Sequence, residues 1–134
     1  MDKNLIEHYK KYFKSVFDFM VEHGYTKMPY PKVVLDNTDQ HNSIFMKTGY
    51  FDPVNDLIKI FINGRAVKDC VRSFCHESLH HGQHIDGVIE KSGYSSDKIT
   101  EDKNLIRLEA EAYLKGNMAF RAWTEIEKKK GILK

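Results

Sequence analysis

The sequence predicts a single α+β domain spanning residues 1–134. Apolar residues recur at helical spacing near both ends of the chain, which predicts long helices there. Three short runs rich in β-branched and aromatic residues lie between positions 30 and 62, which predicts a small sheet. The length suits one hydrophobic core, and we find no internal repeat, low-complexity tract or linker. One helix, three strands and two further helices, in that order, are typical of the α+β class.

The N-terminal segment has the pattern of an amphipathic helix. Its apolar side chains recur every three or four positions, and they are Leu5, Ile6, Tyr9, Tyr12, Phe13, Val16, Phe17, Met20 and Val21. Gly24 follows as a natural stop signal. We expect this helix to act as scaffold that covers the sheet or the other helices.

The three strand candidates occupy residues 30–35, 44–51 and 57–62. Turn-forming clusters separate them at residues 36–39 and 52–56, and Asn63 and Gly64 end the third run. Short strands that follow one another across short turns commonly form a meander. The sequence therefore predicts a small, mainly antiparallel three-stranded sheet.

Two helices complete the predicted fold. The first runs from about residue 65 to 84, and Gly82 and Gly87 bracket its end. Residues 85–100 contain glycine, serine and aspartate and are expected to form a loop. The last helix runs from about residue 101 to 130.

Composition excludes several classes of partner. The 21 basic and 19 acidic side chains give a net charge of +2, so no electrostatic argument favours nucleic acid or an anionic membrane. No apolar run approaches the roughly 20 residues that cross a bilayer, and charged residues interrupt the N-terminal segment, unlike a signal peptide. We therefore expect a cytoplasmic protein. Cys70 and Cys75 are too few for a disulfide framework and are expected to be reduced.

The chemistry is concentrated in the stretch His76-Glu77-Ser78-Leu79-His80. Residues four apart on a helix lie nearly above one another, so His76 and His80 point the same way and can bind one zinc ion. Glu77 is offset by about 100° around the helix. That position suits a general base, which must reach the attacking water without binding the metal.

The other side of this helix is apolar, as expected for a helix packed into a domain. Its residues are Val67, Cys70, Val71, Phe74 and Ile85. His81 lies towards this face and is expected to be a packed histidine. His84 lies one turn beyond His80 and could contact substrate.

A catalytic zinc ion needs a third protein ligand, and no histidine follows His84. Two carboxylates remain as candidates, Asp86 and Glu109. Glu109 is favoured because it lies on an otherwise apolar or small stripe of the last helix, where a buried acid needs a partner. That stripe consists of Leu105, Glu109, Ala112, Gly116 and Phe120. Small side chains at Ala112 and Gly116 would let the two helices approach closely, whereas Glu111 points elsewhere and is expected to be solvated.

The motif at residues 76–80, followed by Glu109-Ala110-Glu111-Ala112-Tyr113, resembles the gluzincin pattern. It is most similar to small HExxH zinc metallopeptidase domains of the ImmA/IrrE kind, and the resemblance covers about residues 57–123. The resemblance implies a zincin-like fold in which His76, His80 and Glu109 bind one Zn²⁺ and Glu77 is the base. A compact metzincin pattern would have glycine at position 83 and histidine or aspartate at 86. Position 83 is glutamine, but Asp86 keeps that alternative open.

We therefore expect a zinc-dependent metallopeptidase that hydrolyses peptide bonds in a peptide or protein substrate. An oxyanion stabiliser is also expected, and the candidates are Tyr113, Tyr94 and His84. The strand at residues 57–62 could bind an extended substrate by strand addition. The alternatives are a non-catalytic zincin-fold binding module with a structural zinc and a zinc hydrolase of a non-peptide substrate. The sequence indicates neither the substrate nor the oligomeric state.

Overall fold

A computed structural model describes residues 3–39, 48–88 and 103–131. It contains three helices and three strands, in the order α1 (Lys3–Glu22), β1 (Lys32–Asp36), β2 (Gly49–Asp52), β3 (Leu57–Phe61), α2 (Val67–Ile85) and α3 (Lys103–Lys129). The predicted α+β class is confirmed, and each predicted helix is present within three residues of its expected bounds. Residues 44–47 of the second predicted strand and residues 89–100 of the predicted loop lie outside the described residues.

Helix α1 packs on the core through one face, as its sequence predicts. Its buried residues recur at helical spacing and are Tyr9, Phe13, Val16, Phe17 and Met20. The Phe13 ring stacks on that of Phe74 in α2, with ring centroids 4.4 Å apart. Gly24 adopts a φ of 78°. Residues other than glycine rarely adopt this left-handed backbone conformation, which lets the chain turn directly after the helix.

The sheet has the strand order β1-β3-β2, which differs from the predicted meander. β1 pairs with β3 in parallel, and β2 pairs with β3 antiparallel. The expectation of a mainly antiparallel meander is therefore wrong, because the chain passes from β1 to the far edge before β3 fills the centre. β3 carries the buried side chains Ile58 and Ile60, as suits a central strand. The apolar pattern of a strand shows which side chains are buried, but it does not identify the neighbouring strands.

Helix α2 lies at the centre of the fold and contacts α1, α3, β2 and β3. Its apolar residues Cys70, Val71, Phe74 and Cys75 are buried, and the two cysteines are free thiols as predicted. His81 is also buried and donates a hydrogen bond from Nε2 to the carbonyl of Pro29 at 2.7 Å, which confirms the expected packed histidine. The expectation that Ile85 joins the apolar face is wrong. This residue ends the helix beyond the core and is exposed.

Helices α2 and α3 approach each other closely at Gly116. A Cβ atom at this position would lie 3.2 Å from the Cα atom of His76, so any larger side chain would press on the α2 backbone. Ala112 and Phe120 on the same stripe of α3 are buried. The small residues therefore bring α3 against the turn of α2 that carries the HExxH motif.

Arg65 joins β3 and the residue before β2 to the first turns of α2. Its Nη1 donates hydrogen bonds to the carbonyls of Thr48 at 2.8 Å and Phe61 at 2.6 Å. Its Nη2 donates to the carbonyl of Asp69 at 3.1 Å and to Oγ of Ser73 at 2.6 Å. The guanidinium fork therefore fixes the position of β2 relative to β3 and α2.

Among the described helices, none is both long and apolar enough to cross a bilayer.

Replacing Gly116 by alanine tests the close crossing of α2 and α3. Alanine is the better helix former by about 1 kcal/mol, but overpacking against the His76 backbone costs about 1–3 kcal/mol. We expect Gly116→Ala to lower the free energy of unfolding by about 1 kcal/mol, measured by denaturant unfolding with a chelator present. Asn117→Ala, at the next and exposed position, serves as the control. A Gly116→Ala protein more stable than wild type would contradict the close crossing.

Replacing Arg65 by methionine tests the connection between the sheet and α2. We expect Arg65→Met to lower the free energy of unfolding by at least about 2 kcal/mol, because each hydrogen bond from a charged donor contributes roughly 1.5–3 kcal/mol. The same denaturant experiment measures the change. Arg121→Met, on the exposed surface of α3, is the matched control, for which a change within about 0.5 kcal/mol is expected. Equal stability of the two variants would remove the proposed role of Arg65 in the fold.

Candidate metal centre

The two histidines of the HExxH motif and Glu109 converge where α2 crosses α3. Nε2 of His76 lies 2.6 Å from Oε1 of Glu109, and Nε2 of His80 lies 3.0 Å from Oε2 of the same carboxylate. Their potential ligand atoms all lie within 4.8 Å of one another. The helical spacing of four residues and the close crossing at Gly116 together produce this group.

The environment favours a charged carboxylate at Glu109. Burial alone would raise its pKa, but hydrogen bonds from His76 and His80 outweigh that effect and lower the pKa to about 2. Burial likewise opposes the charge on His80, but its hydrogen bond to Glu109 and the charge of Glu77 raise its pKa above the ordinary value. The two shifts share one origin, the attraction between the imidazole rings and the carboxylate.

Two histidine nitrogens and one carboxylate form the ligand set of many catalytic zinc sites. The donor chemistry of His76, His80 and Glu109 therefore fits zinc. Both oxygens of Glu109 already face the distal nitrogens of the two rings, so the three side chains share one centre. Glu109 is a half-buried acid on an otherwise apolar stripe, where a cation such as zinc would stabilise its charge.

Glu77 is buried beside this group, with 7% of its surface exposed. Burial raises the pKa of its carboxyl, while His76 and His80 act in the opposite direction and the charge of Glu109 adds to the increase. The backbone of Phe51 in β2 hydrogen-bonds to the carboxylate. A carboxylate that is held in position and has a raised pKa is suited to accept a proton near neutral pH.

The three potential ligands and Glu77 line a cavity of about 380 Å³. One wall is formed by Thr48, Gly49 and Tyr50 at the start of β2. Tyr113 and Asn117 of α3, Arg65 and residues of the first turns of α2 also line the cavity. The cavity is therefore open to a ligand that lies along the edge of the sheet.

The strand beside this cavity is β2, and the expectation that residues 57–62 receive an added strand is wrong. β3 is the central strand, and both of its edges are already paired. The amide of Phe61 donates to the carbonyl of Thr48, so the alternation of an antiparallel ladder directs the backbone groups of Gly49 and Phe51 away from β3. The hydrogen bond between Phe51 and Glu77 agrees with this orientation.

Of the three candidate oxyanion stabilisers, Tyr113 lies in the cavity. Its ring centroid is 4.3 Å from that of His76, and burial together with the charges of Glu109 and Glu77 raises the pKa of its hydroxyl. The phenol therefore remains a hydrogen-bond donor at neutral pH. His84 is not among the residues that line the cavity, and its Nε2 lies 3.6 Å from Oδ1 of Asp56. Tyr94 lies outside the described residues.

The alternative ligand Asp86 lies elsewhere. It follows the last turn of α2, is exposed, and forms an ion pair with Lys27 at 3.0 Å. It is not part of the group formed by His76, His80 and Glu109. Glu111 also points away from this group, but it is half-buried and not simply solvated, because Gln83 donates a hydrogen bond to it at 3.2 Å.

Two residues that shape the centre are absent from the predicted site. Gln83 hydrogen-bonds to Nδ1 of His80 at 2.9 Å. Its position three residues after His80 on the same helix was a usable signal, because such residues are neighbours on a helix surface. Arg65, which lines the cavity, had a local signal in Asp69 four residues later, but its bond to the carbonyl of Thr48 depends on the position of β2.

No protein-family model, curated protein or solved structure matches this chain significantly.

Proposed function

We propose that this protein is a zinc-dependent metallopeptidase. The observation that carries the proposal is the convergence of His76, His80 and Glu109 beside the buried carboxylate of Glu77 in an open cavity. Three protein ligands leave room for a fourth, exchangeable position, which distinguishes catalytic zinc sites from closed structural ones. A purely structural zinc site would have no use for an acid placed beside the ligands.

When bound, zinc would polarise the scissile carbonyl and lower the pKa of the attacking water. The carboxylate of Glu77 accepts the proton of this water and later delivers it to the nitrogen of the departing amine. The backbone contact with Phe51 holds Glu77 in place for both transfers. Tyr113 lines the cavity, and its hydroxyl is the candidate donor of a hydrogen bond to the developing oxyanion.

The edge of β2 supports a peptide as the substrate. Thr48, Gly49 and Tyr50 line the cavity, and the outward backbone groups of this strand face the side that contains Glu77. An extended chain that pairs with an edge strand gains main-chain hydrogen bonds whatever its side chains are. Pairing at β2 would place one backbone carbonyl of the substrate next to the three potential ligands.

Metal analysis tests the assignment of the ligands. We expect Glu109→Ala to weaken zinc binding by about 100-fold or more, since loss of groups that only support ligands already costs roughly 10- to 100-fold. Zinc content after dialysis and calorimetric titration measure the effect. Asp86→Ala is the matched control and should bind zinc as wild type does. Unchanged binding by Glu109→Ala would exclude Glu109 as the third ligand.

Replacing Glu77 by glutamine separates catalysis from metal binding. We expect Glu77→Gln to retain zinc but to lose about 10²- to 10⁴-fold in kcat for cleavage of a peptide library, because the amide cannot accept the proton. Glu125→Gln, on the exposed surface of α3, should retain full activity. If zinc-loaded wild type and Glu77→Gln are both inactive on peptides, the protein is a binding module or acts on another substrate.

A further inference from the structure

Gln83 joins the candidate ligand His80 to the helix that carries Glu109. Its side chain is buried, and Oε1 lies 2.9 Å from Nδ1 of His80. Its Nε2 donates hydrogen bonds to the carbonyl of Leu108 at 3.1 Å and to Oε1 of Glu111 at 3.2 Å. All three polar partners of the Gln83 amide therefore belong to α2 or α3.

The hydrogen bonds on α3 determine which way the amide faces. A carbonyl and a carboxylate are acceptors only, so the NH₂ group of Gln83 must face Leu108 and Glu111. Its oxygen consequently faces His80, where it can only accept. Nδ1 of His80 must then carry a proton, so that in the neutral ring Nε2 is the nitrogen left free for a metal at the centre shared with Glu109.

His76 has no comparable support within the described residues. Its Nδ1 is buried without a hydrogen-bond partner there. The ring packs instead against the ring of Tyr113, with centroids 4.3 Å apart. Of the two candidate histidine ligands, His80 is thus the one whose tautomer is selected by a side-chain hydrogen bond at Nδ1 within the described residues.

We propose that Gln83 is the positioning residue of the metal centre. It holds His80 in the tautomer that directs Nε2 towards the metal, and it fixes this ring relative to Leu108, the residue directly before Glu109. The proposal rests on the proposed zinc site and adds how that site is kept in shape. Gln83 does not touch the reacting atoms, so it acts through ligand geometry and not through proton transfer.

Two substitutions separate the role of Gln83 from simple packing. Gln83→Met keeps the length of the side chain and removes both the acceptor and the donor. The exchange Gln83→Glu with Glu111→Gln keeps an acceptor for His80 and supplies an amide donor from position 111. Glu111→Gln alone is the matched control, because its amide oxygen can still accept the hydrogen bond from Gln83.

Zinc affinity, measured by competition with a chromophoric chelator at neutral pH, is the first readout. We expect Gln83→Met to bind zinc about 10- to 100-fold more weakly than wild type, as is typical when a hydrogen-bond partner of a ligand is lost. The exchanged pair should recover most of the affinity, and Glu111→Gln should match wild type. Circular dichroism of the zinc-free proteins shows whether each variant is folded.

The second readout is the imidazole N–H resonance of His80 in cobalt-substituted protein, which reports the tautomer directly. In wild type, the Nδ1 proton should exchange slowly with water because it is buried and hydrogen-bonded. In Gln83→Met it should exchange rapidly and broaden, and in the exchanged pair it should be restored. The wild-type measurement needs no variant, so it tests whether Nδ1 of His80 carries a hydrogen-bonded proton even if Gln83→Met fails to fold.

Equal zinc affinity of wild type and folded Gln83→Met would overturn the proposal, as would rapid exchange of the His80 proton in wild type. Either result would leave the proposed zinc site intact. A wild-type protein that takes up no zinc, or a His80→Ala variant that binds zinc fully, would overturn the site itself together with the role of Gln83.

Discussion

The close crossing of α2 and α3 is the constraint on which the rest of this structure depends. Gly116 allows the backbones to approach until a Cβ atom at this position would lie 3.2 Å from the Cα atom of His76. That approach brings the carboxylate of Glu109 to both histidine rings, with Oε1 facing Nε2 of His76 and Oε2 facing Nε2 of His80. The half-buried carboxylate is tolerated because these partners offset the cost of removing it partly from water. The close packing of α2 on α3 and the hydrogen bonds of Glu109 thus require the same helix crossing.

Local features of the candidate site could be predicted from the sequence. A helix places residues four apart on one face, so the shared direction of His76 and His80 follows from their spacing. Glu109 could be identified because an acid interrupts an apolar stripe that otherwise contains only small and hydrophobic residues. The structure brings it to the histidines and places the other candidate, Asp86, in an exposed ion pair.

Features that depend on partners distant in sequence could not be predicted in this way. The strand order is set by which edge of β3 each neighbour reaches, and an apolar run carries no such information. For this reason the sequence predicts that residues 57–62 receive an added strand, whereas in the structure the edge strand beside the cavity is β2. Arg65 is similar, because its acceptors beside the sheet are the backbone carbonyls of Thr48 and Phe61, and every residue has a carbonyl. The contact of Gln83 with His80 could be predicted from their spacing on one helix, but its contacts with Leu108 and Glu111 depend on the helix crossing.

The central burial of α2 has a consequence for how this protein can change over evolution. From Phe74 to Gln83, every residue of this helix except the half-buried His76 is buried, so the segment belongs to both the hydrophobic core and the candidate metal centre. In many enzymes a loop carries the reactive groups and can vary while the scaffold stays constant. Here a substitution within the candidate site also perturbs packing. New binding specificities should therefore arise at exposed residues that line the cavity outside the core, namely Thr48, Tyr50 and Asn117.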